Sequence, residues 1–186
     1  MTQRRKIQFS LRMLIGAFTI LACLSAIVGY CVKIWNGGAE SRRMMRMNEL
    51  ILNNGGYWEV GTGLSLPKAT KTQLDSVLKE LEAFDGQTSM YFPDSEFSDS
   101  HAKAIVCHHG LTSLVLYNTL VTDDGVKSLS TLGELVCVQL DNTAITDAGL
   151  EHLSKLPKLQ YLHVSDTKVT EEGIEKLKLA LPNLKV

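Results

Sequence analysis

The sequence predicts an α/β fold, a short solenoid with parallel strands on its concave side and short helices on its convex side, after one transmembrane helix. Three observations predict it. A pattern recurs every 24 residues between Leu111 and Leu181, the spacing of apolar residues changes within each copy, and Met13–Val32 is an uncharged run of twenty residues. The overall composition, 45% hydrophobic and 21% charged, is that of an ordinary globular protein.

The repeated pattern reads L-x2-L-x-L-x2-T-x-V-T-D-x-G-L-x2-L-x2-L. Its full copies cover residues 111–134, 135–158 and 159–183. Its eleven positions recur in phase in the first two copies, and ten of them recur in the third. So many coinciding positions make chance a poor explanation. The pattern resembles the leucine-rich repeat, in a 24-residue variety with Thr where many repeats carry Asn or Cys. The resemblance implies a stack of copies that share one apolar core, because no copy alone can bury both its strand and its helix.

Each copy contains a predicted strand and a predicted helix. Leu114 and Leu116 alternate with other residues, which is the period of a strand, whereas Val126 and Leu129 are spaced three apart, which fits one face of a short helix. The hydroxyl of Thr122 precedes that helix and can accept a hydrogen bond from a free amide N–H there. The acidic residue that follows in each copy suits the positive end of the helix.

The repeat continues weakly beyond the regular copies. Residues 87–110 form a degenerate copy, in which Ser98-Asp99 stands where Thr-Asp is expected. A truncated copy, residues 184–186, begins with Leu184 and Val186. Shifting the pattern upstream by one period predicts the core positions of the degenerate copy, which are Met90, Phe92, Phe97, Ala102 and Ile105.

Four segments are predicted before the repeats. They are a basic tail at 1–12, a transmembrane helix at 13–34, a juxtamembrane helix and linker at 35–68, and an N-terminal capping helix at 69–86. Within the third segment, Ala39–Asn53 has the apolar spacing of a helix and Gly55-Gly56 follows as its stop. Tyr57, Trp58 and Val60 then suggest a short strand. The helix at 69–86 is expected to cover the first end of the stack.

The uncharged run near the start of the chain favours a retained membrane anchor. A helix of that length spans roughly 30 Å, the thickness of a bilayer core. Tyr30 and Trp35 stand where aromatic anchors are found. A cleaved signal peptide is the second interpretation, although its apolar core would be about 7–15 residues. The third is a lipoprotein modified at Cys23, although Leu21 fits that motif poorly.

Charge suggests an orientation and excludes one class of partner. Residues 1–48 hold eight Lys or Arg and one acid, net +7, and residues 49–186 hold eleven against nineteen, net −8. Nucleic acid is therefore not an expected partner of the repeats. Four basic residues lie on each flank of the span, but those before it lie closer. We therefore expect the N-terminus inside and the repeats on the non-cytoplasmic side of the membrane.

A second resemblance concerns the start of the span. Phe9-Ser10-Leu11-Arg12 directly precedes the apolar run, and leucine-rich repeats follow it. This arrangement is similar to that of a group of bacterial membrane-anchored leucine-rich-repeat proteins. The resemblance implies repeats that bind other proteins.

No residue pattern points to catalysis, a cofactor or a metal. Cys107, His108 and His109, with His101 upstream, are the residues that come nearest to a metal cluster. Adjacent helical residues point about 100° apart and so converge poorly on one ion. His108 also falls on a core leucine position. The repeated glycines recur at one helical position and are expected to be structural, because a catalytic residue would be expected once.

The strand residues between the leucines are the candidate binding residues, because they point away from the core. They are rich in Tyr and carry a single charge, which is typical of an interaction surface. We expect a non-catalytic module that recognises a protein or peptide. The alternative is a structural or self-associating envelope protein that uses the open edge at Leu184 and Val186. The predicted concave-face residues are Tyr91, Val115, Tyr117, Gln139, Asp141, Tyr161 and His163.

Overall fold

The computed structural model of the chain describes residues 38–59, 63–81 and 88–186. The chain divides into two units, Met1–Arg46 and Met47–Val186, and the fold below is that of the second. The predicted tail at 1–12 and transmembrane helix at 13–34 lie outside the described residues. In the part that is described, no helix combines the length and the apolar character needed to cross a bilayer.

Helices and strands alternate along the described chain, except that the first two strands follow one another directly. Their bounds are α1 Gly38–Asn53, β1 Tyr57–Glu59, β2 Gly63–Ser65, α2 Lys71–Leu81, β3 Ser89–Tyr91, α3 Asp99–Ala104 with a 3₁₀ turn at Ile105–Cys107, β4 Ser113–Val115, α4 Asp123–Leu129, β5 Cys137–Gln139, α5 Asp147–Leu153, β6 Tyr161–His163 and α6 Glu171–Ala180.

The strands form one six-stranded sheet in the order β1-β2-β3-β4-β5-β6. From β2 onward every neighbouring pair is parallel, and a helix lies between each strand and the next. From β3 to β6 the paired residues differ by 24 in number, as Ser89, Ser113 and Cys137 show. This is the predicted α/β architecture of parallel strands and short helices in a leucine-rich-repeat-like solenoid.

One apolar core runs through the stack. Leu114, Val138 and Leu162 are register neighbours on successive strands, and all are at most 1% exposed. The helices contribute Val126 and Leu129, which are equally buried. The core positions predicted for the degenerate copy are also buried: Met90, Phe92, Phe97, Ala102 and Ile105. Each copy therefore buries its apolar residues against its neighbours.

The threonine before each regular helix caps it. The Oγ1 atoms of Thr122 and Thr146 accept hydrogen bonds from the backbone N–H groups of Asp124 and Ala148, at 3.4 and 3.2 Å. Thr170 has extended backbone angles like the other two and accepts from a backbone N–H in the same way. An acceptor placed there binds amides that have no partner within the helix.

The start of the stack differs from the prediction. β2 lies in the segment predicted as a linker, and it pairs with β3 in parallel. The helix α2 joins these two strands, so it is the helix of an additional copy and not an end cap. The sequence pattern missed this copy because Gly63 pairs with Ser89, an offset of 26 that is out of phase with the later copies.

The first end of the stack is covered by β1 and by the last two turns of α1. Strand β1 pairs with β2 in antiparallel fashion. Met47 and Ile51 of α1 are 1% and 0% exposed and belong to the apolar core, and Trp58 packs against it. Gly55 ends α1 with a φ of 75°, a conformation that L side chains rarely adopt.

The truncated copy at 184–186 continues the sheet. The backbone N–H of Leu162 donates to the carbonyl of Lys185 at 2.9 Å, and the N–H of Lys185 donates to the carbonyl of Gln160 at 2.8 Å. Leu184 is 6% exposed. The edge that the sequence predicted to be open is therefore partly paired by these residues.

Candidate functional site

The concave face is the side of the sheet that faces away from the core. The register arranges its side chains in columns that run across the strands. Backbone hydrogen bonds continue the register beyond the strand ends, for example from the N–H of Asn118 to the carbonyl of Asp141 at 2.9 Å. The three columns contain Ser89, Ser113, Cys137 and Tyr161; Tyr91, Val115, Gln139 and His163; and Pro93, Tyr117, Asp141 and Ser165.

Six of the seven predicted residues reach the surface of this face. Tyr161 is 41% exposed, and His163 beside it on β6 is exposed. The others, which are Tyr91, Tyr117, Gln139 and Asp141, are half-buried.

Val115 does not belong to the accessible surface. The prediction placed it among the binding residues, but it is only 7% exposed. Its register neighbours on the adjacent strands are Tyr91 and Gln139. Their longer side chains flank a short branched one across strands about 4.8 Å apart, so little of Val115 meets solvent.

The structure extends the concave face to strands that the sequence did not assign to it. Tyr57 on β1 pairs with Ser65 on β2, which in turn pairs with Tyr91. Tyr57 is 48% exposed, whereas Ser65 is 2% exposed. Four of the five tyrosines of the chain therefore lie on this face. Tyr57 was missed because a single strand without a known partner does not reveal which way its residues point.

A row of residues with positive φ borders the concave face where the strands end. The row consists of Lys68, Asp94, Asn118, Asn142 and Asp166, with φ between 49° and 56°. The side-chain amide of Asn118 donates to Asp94 at 2.6 Å, and that of Asn142 donates to Asn118. Asn and Asp tolerate this conformation better than most residues. Asp94, Asn118, Asn142 and Asp166 recur at the repeat period of 24, which is a signal for this row that the sequence itself contains.

The threonines that give the repeat its character close the turn after each strand. The hydroxyls of Thr119 and Thr143 donate to the carbonyls of Leu116 and Leu140 at 2.6 Å. Both threonines are buried, at 6% and 8% exposure. In the degenerate copy Ser95 does the same with the carbonyl of Phe92. A buried carbonyl without a partner is costly, which explains a hydroxyl at this place.

The acidic residue at the start of each helix links one copy to the next. Asp123 accepts hydrogen bonds from the backbone N–H and the hydroxyl of Thr146, at 2.8 and 2.7 Å. Asp147 makes the same pair with Thr170, and these bonds lower the pKa of its carboxyl. The sequence predicted only a favourable interaction with the helix end. It did not show that the carboxylate reaches the following copy.

The repeated glycines leave room for this link. A Cβ atom on Gly149 would lie 2.5 Å from Oδ1 of Asp123, and one on Gly173 would lie 2.2 Å from Oδ1 of Asp147. These distances are too short for any side chain to fit without displacing the carboxylate. The structural role that the sequence predicted for these glycines thus has a specific cause.

Residues 155–178 match the leucine-rich repeat family model. This match covers 24 of the 186 residues, which is one copy of the pattern. No curated protein matches the sequence.

Solved structures similar to this chain include two internalins. An internalin C2 from Listeria monocytogenes is 17% identical with a TM-score of 0.47, over 66% of this chain and 68% of its own. An internalin from the same organism, described as inlF, is 15% identical with a TM-score of 0.44, over 66% of this chain and 46% of its own.

His101 takes the place of the glycine in the degenerate leucine-rich repeat. Its ring is 2% exposed, and its Nδ1 accepts the backbone N–H of Ser98 at 2.9 Å. The proton therefore lies on Nε2, which is 3.1 Å from Oδ1 of Asp75 on α2. Desolvation by burial lowers the pKa of His101, although Asp75 opposes the shift. This buried histidine thus has a packing role.

The cysteines and the remaining histidines form no chemical centre in the described ranges. Cys107 is exposed, and Cys137 is half-buried. Desolvation raises the pKa of Cys137, so its thiol keeps its proton at neutral pH. His108 is buried and His109 is exposed. Among the described residues, no three His, Cys, Asp or Glu side chains are placed to hold a metal ion.

Proposed function

We propose that this chain is a membrane-anchored leucine-rich-repeat protein whose concave face recognises a protein or peptide, without catalysing a reaction. The observation that supports recognition is the collection of Tyr57, Tyr91, Tyr117 and Tyr161 with His163 on one sheet face. Tyrosine offers a large contact area and a hydroxyl at a low cost in conformational entropy, which is why it is enriched at binding surfaces.

The size of the face suggests the kind of ligand. Six strands about 4.8 Å apart, each about 10 Å long, give a face of about 290 Å². A stable protein interface takes about 800 Å² from each partner. A short peptide, or several copies acting together on one membrane, suits this area better than a single large globular partner.

The anchor is proposed from the sequence. The uncharged run Met13–Val32 with its aromatic flanks supports a single membrane-spanning helix, with the repeats on the non-cytoplasmic side. The Phe9-Ser10-Leu11-Arg12 segment and the 24-residue Thr-type repeats support a place among the bacterial membrane-anchored proteins that they resemble. A reporter enzyme fused after Val186 tests the orientation. Activity of a reporter that works only in the cytoplasm would contradict it.

A triple variant tests recognition by the concave face. Tyr117→Ala, Tyr161→Ala and His163→Ala together should remove the proteins that cross-link to the full chain in its native membrane. The matched control carries Lys127→Ala and Glu151→Ala on the helices and Lys155→Ala in the turn after α5, and it should cross-link as the natural chain does. Unchanged cross-linking by the concave-face variant would mean that another surface binds.

Self-association through the edge strand is the second candidate. A groove of about 250 Å³ is lined by Leu162, Val164, Ile174 and Val186 together with His163 and Ser165. Val186 is 45% exposed, which makes this groove the apolar part of the edge. Val186→Asp should reduce any oligomer to monomer in analytical ultracentrifugation if this edge joins two copies. An oligomer that persists would exclude the edge.

A further inference from the structure

The concave face is not uniformly accessible. In its middle column, Ser65 and Val115 are buried, whereas His163 is exposed. Tyr161 in the neighbouring column is 41% exposed. Apart from Tyr57 on β1, which is 48% exposed, the exposed residues of the face lie at β6, next to the half-buried Gln139 of β5. A ligand would make its main contacts in this half of the face, at β5 and β6.

This half of the face is bordered by carboxylates. Asp141 lies in the third column just after β5, and its Oδ1 accepts the backbone N–H of Ser165 at 2.8 Å, which fixes the carboxylate on the face. Asp166 follows in the row of positive-φ residues along the same border, and it is exposed. A partner here would meet fixed negative charge.

The aromatic part of the face already holds a cation. The Nζ atom of Lys185 lies 5.1 Å from the centre of the Tyr161 ring. An ammonium group at this distance is attracted by the electrons of the ring face. The same attraction is open to a cationic ligand at the tyrosines that have no such neighbour in the described structure, such as the half-buried Tyr117 beside Asp141.

The net charge of the whole folded unit also favours a basic partner. Residues 49–186 carry eleven Lys or Arg against nineteen acids, a net charge of −8. A field of this sign raises the rate at which basic partners approach and disfavours acidic ones.

We propose that the ligand of the concave face is an extended basic peptide segment, which places an Arg or Lys side chain against Asp141 and Asp166 and an apolar or aromatic side chain against Tyr117 and Tyr161. This inference rests on the proposed recognition function and names the chemistry of its partner. The chain discriminates by charge: an acidic segment of the same length is repelled, and a neutral one loses the contact with the two carboxylates.

Binding of three matched peptide pools to the full-length chain, in an uncharged detergent, tests this proposal by fluorescence anisotropy. The pools are about 10 residues long, suited to an extended peptide, and differ only in whether Arg and Lys, Gln, or Glu fill the polar positions. The basic pool should bind most tightly, and its affinity should fall as salt is raised. Equal binding of the three pools, or no binding of any, would overturn the proposal.

Paired variants locate the charge. Asp141→Asn with Asp166→Asn should weaken the basic pool about tenfold, the size expected for hydrogen bonds to charged groups, and leave the Gln pool unchanged. Asn at 141 can still accept from Ser165. The matched control, Asp124→Asn with Glu175→Gln on the helices, makes the same change in net charge and should bind normally. An equal loss in the control would show a nonspecific effect and overturn the proposal.

Tyr161→Ala separates failure of this inference from failure of the proposed function. If the Gln pool binds as tightly as the basic pool and Tyr161→Ala weakens both, the concave face recognises peptides but the basic ligand is wrong. If no binding depends on Tyr161, concave-face recognition fails as well.

Discussion

The degenerate copy and the regular copies make the same inter-repeat contact in two ways. In the regular copies Gly125, Gly149 and Gly173 lie against the carboxylates of the preceding copies. At the equivalent position the degenerate copy has His101, whose Nε2 lies 3.1 Å from Oδ1 of Asp75. The first contact is a backbone packed against a fixed carboxylate, and the second is a side-chain hydrogen bond.

The difference shows what the glycine is for. Asp123 is fixed by two hydrogen bonds from Thr146, so its carboxylate lies in the space that a side chain at position 149 would need. Asp75 is 58% exposed in its side chain, and a bulky ring can reach it. The glycine is therefore required only in copies where the preceding acidic side chain already hydrogen-bonds to the following copy.

The largest predicted effect concerns the core, which the two regions share. Leu140 in a regular copy and Phe92 in the degenerate one are both fully buried. Leu140→Ala should lower the free energy of unfolding by about 2–5 kcal/mol, and Phe92→Ala by about 3–5 kcal/mol. Urea denaturation measures both. Leu120→Ala is the control, because Leu120 is 63% exposed and should change little. A small effect at either buried position would mean that the core is not continuous.

The second largest effect concerns Asp123, the acidic residue that links two regular copies. Asp123→Ala removes the acceptor of two hydrogen bonds from Thr146 and should cost about 1.5–3 kcal/mol of unfolding free energy. Asp124, the next residue of the same helix, is exposed. Asp124→Ala should therefore cost only a few tenths of the unfolding free energy that Asp123→Ala costs. Denaturation midpoints that shift equally in the two variants would show that only helix charge matters.

A smaller net loss of unfolding free energy is expected when Gly149 is replaced by alanine. Gly149→Ala forces Asp123 away from Thr146, but alanine favours a helix over glycine by about 1 kcal/mol. The net destabilisation should be about 1–2 kcal/mol, the remainder of the lost hydrogen bonds. Gly133→Ala is the matched control, because a Cβ atom there meets nothing within 4 Å. A stabilised Gly149→Ala variant would contradict the packing described above.

The smallest expected effect is a pH dependence of stability that comes from His101 in the degenerate copy. Burial lowers the pKa of His101, so the unfolded chain binds this proton more readily than the folded chain does. The contribution of His101 to stability is therefore complete above the unfolded value of about 6.5 and is lost as the pH falls below it. Thermal unfolding of the natural chain and of His101→Gln at pH 7.5 and 5.5 measures this. An equal change in Tm in both proteins would assign the pH dependence to other groups.

Local patterns predicted the regular copies well. The alternation around Leu114 and the threefold spacing after Val126 placed β4 and α4, and Thr122 was identified as a cap before any contact was known. These features depend on residues within a few positions of each other. The candidate binding residues follow from the same alternation: all seven lie on the concave side of the sheet, and six of them reach its surface.

Contacts between copies decided the rest. The sequence by itself determined the period, the strands and helices of the regular copies and the side of the sheet on which Tyr91, Tyr117 and Tyr161 lie, because these follow from backbone geometry. Only the tertiary structure decided that β2 begins the stack, that Tyr57 joins the concave face and that Val115 is covered. The physical reason is that burial and pairing depend on residues about 8 to 26 positions away, whose distance no local spacing reports.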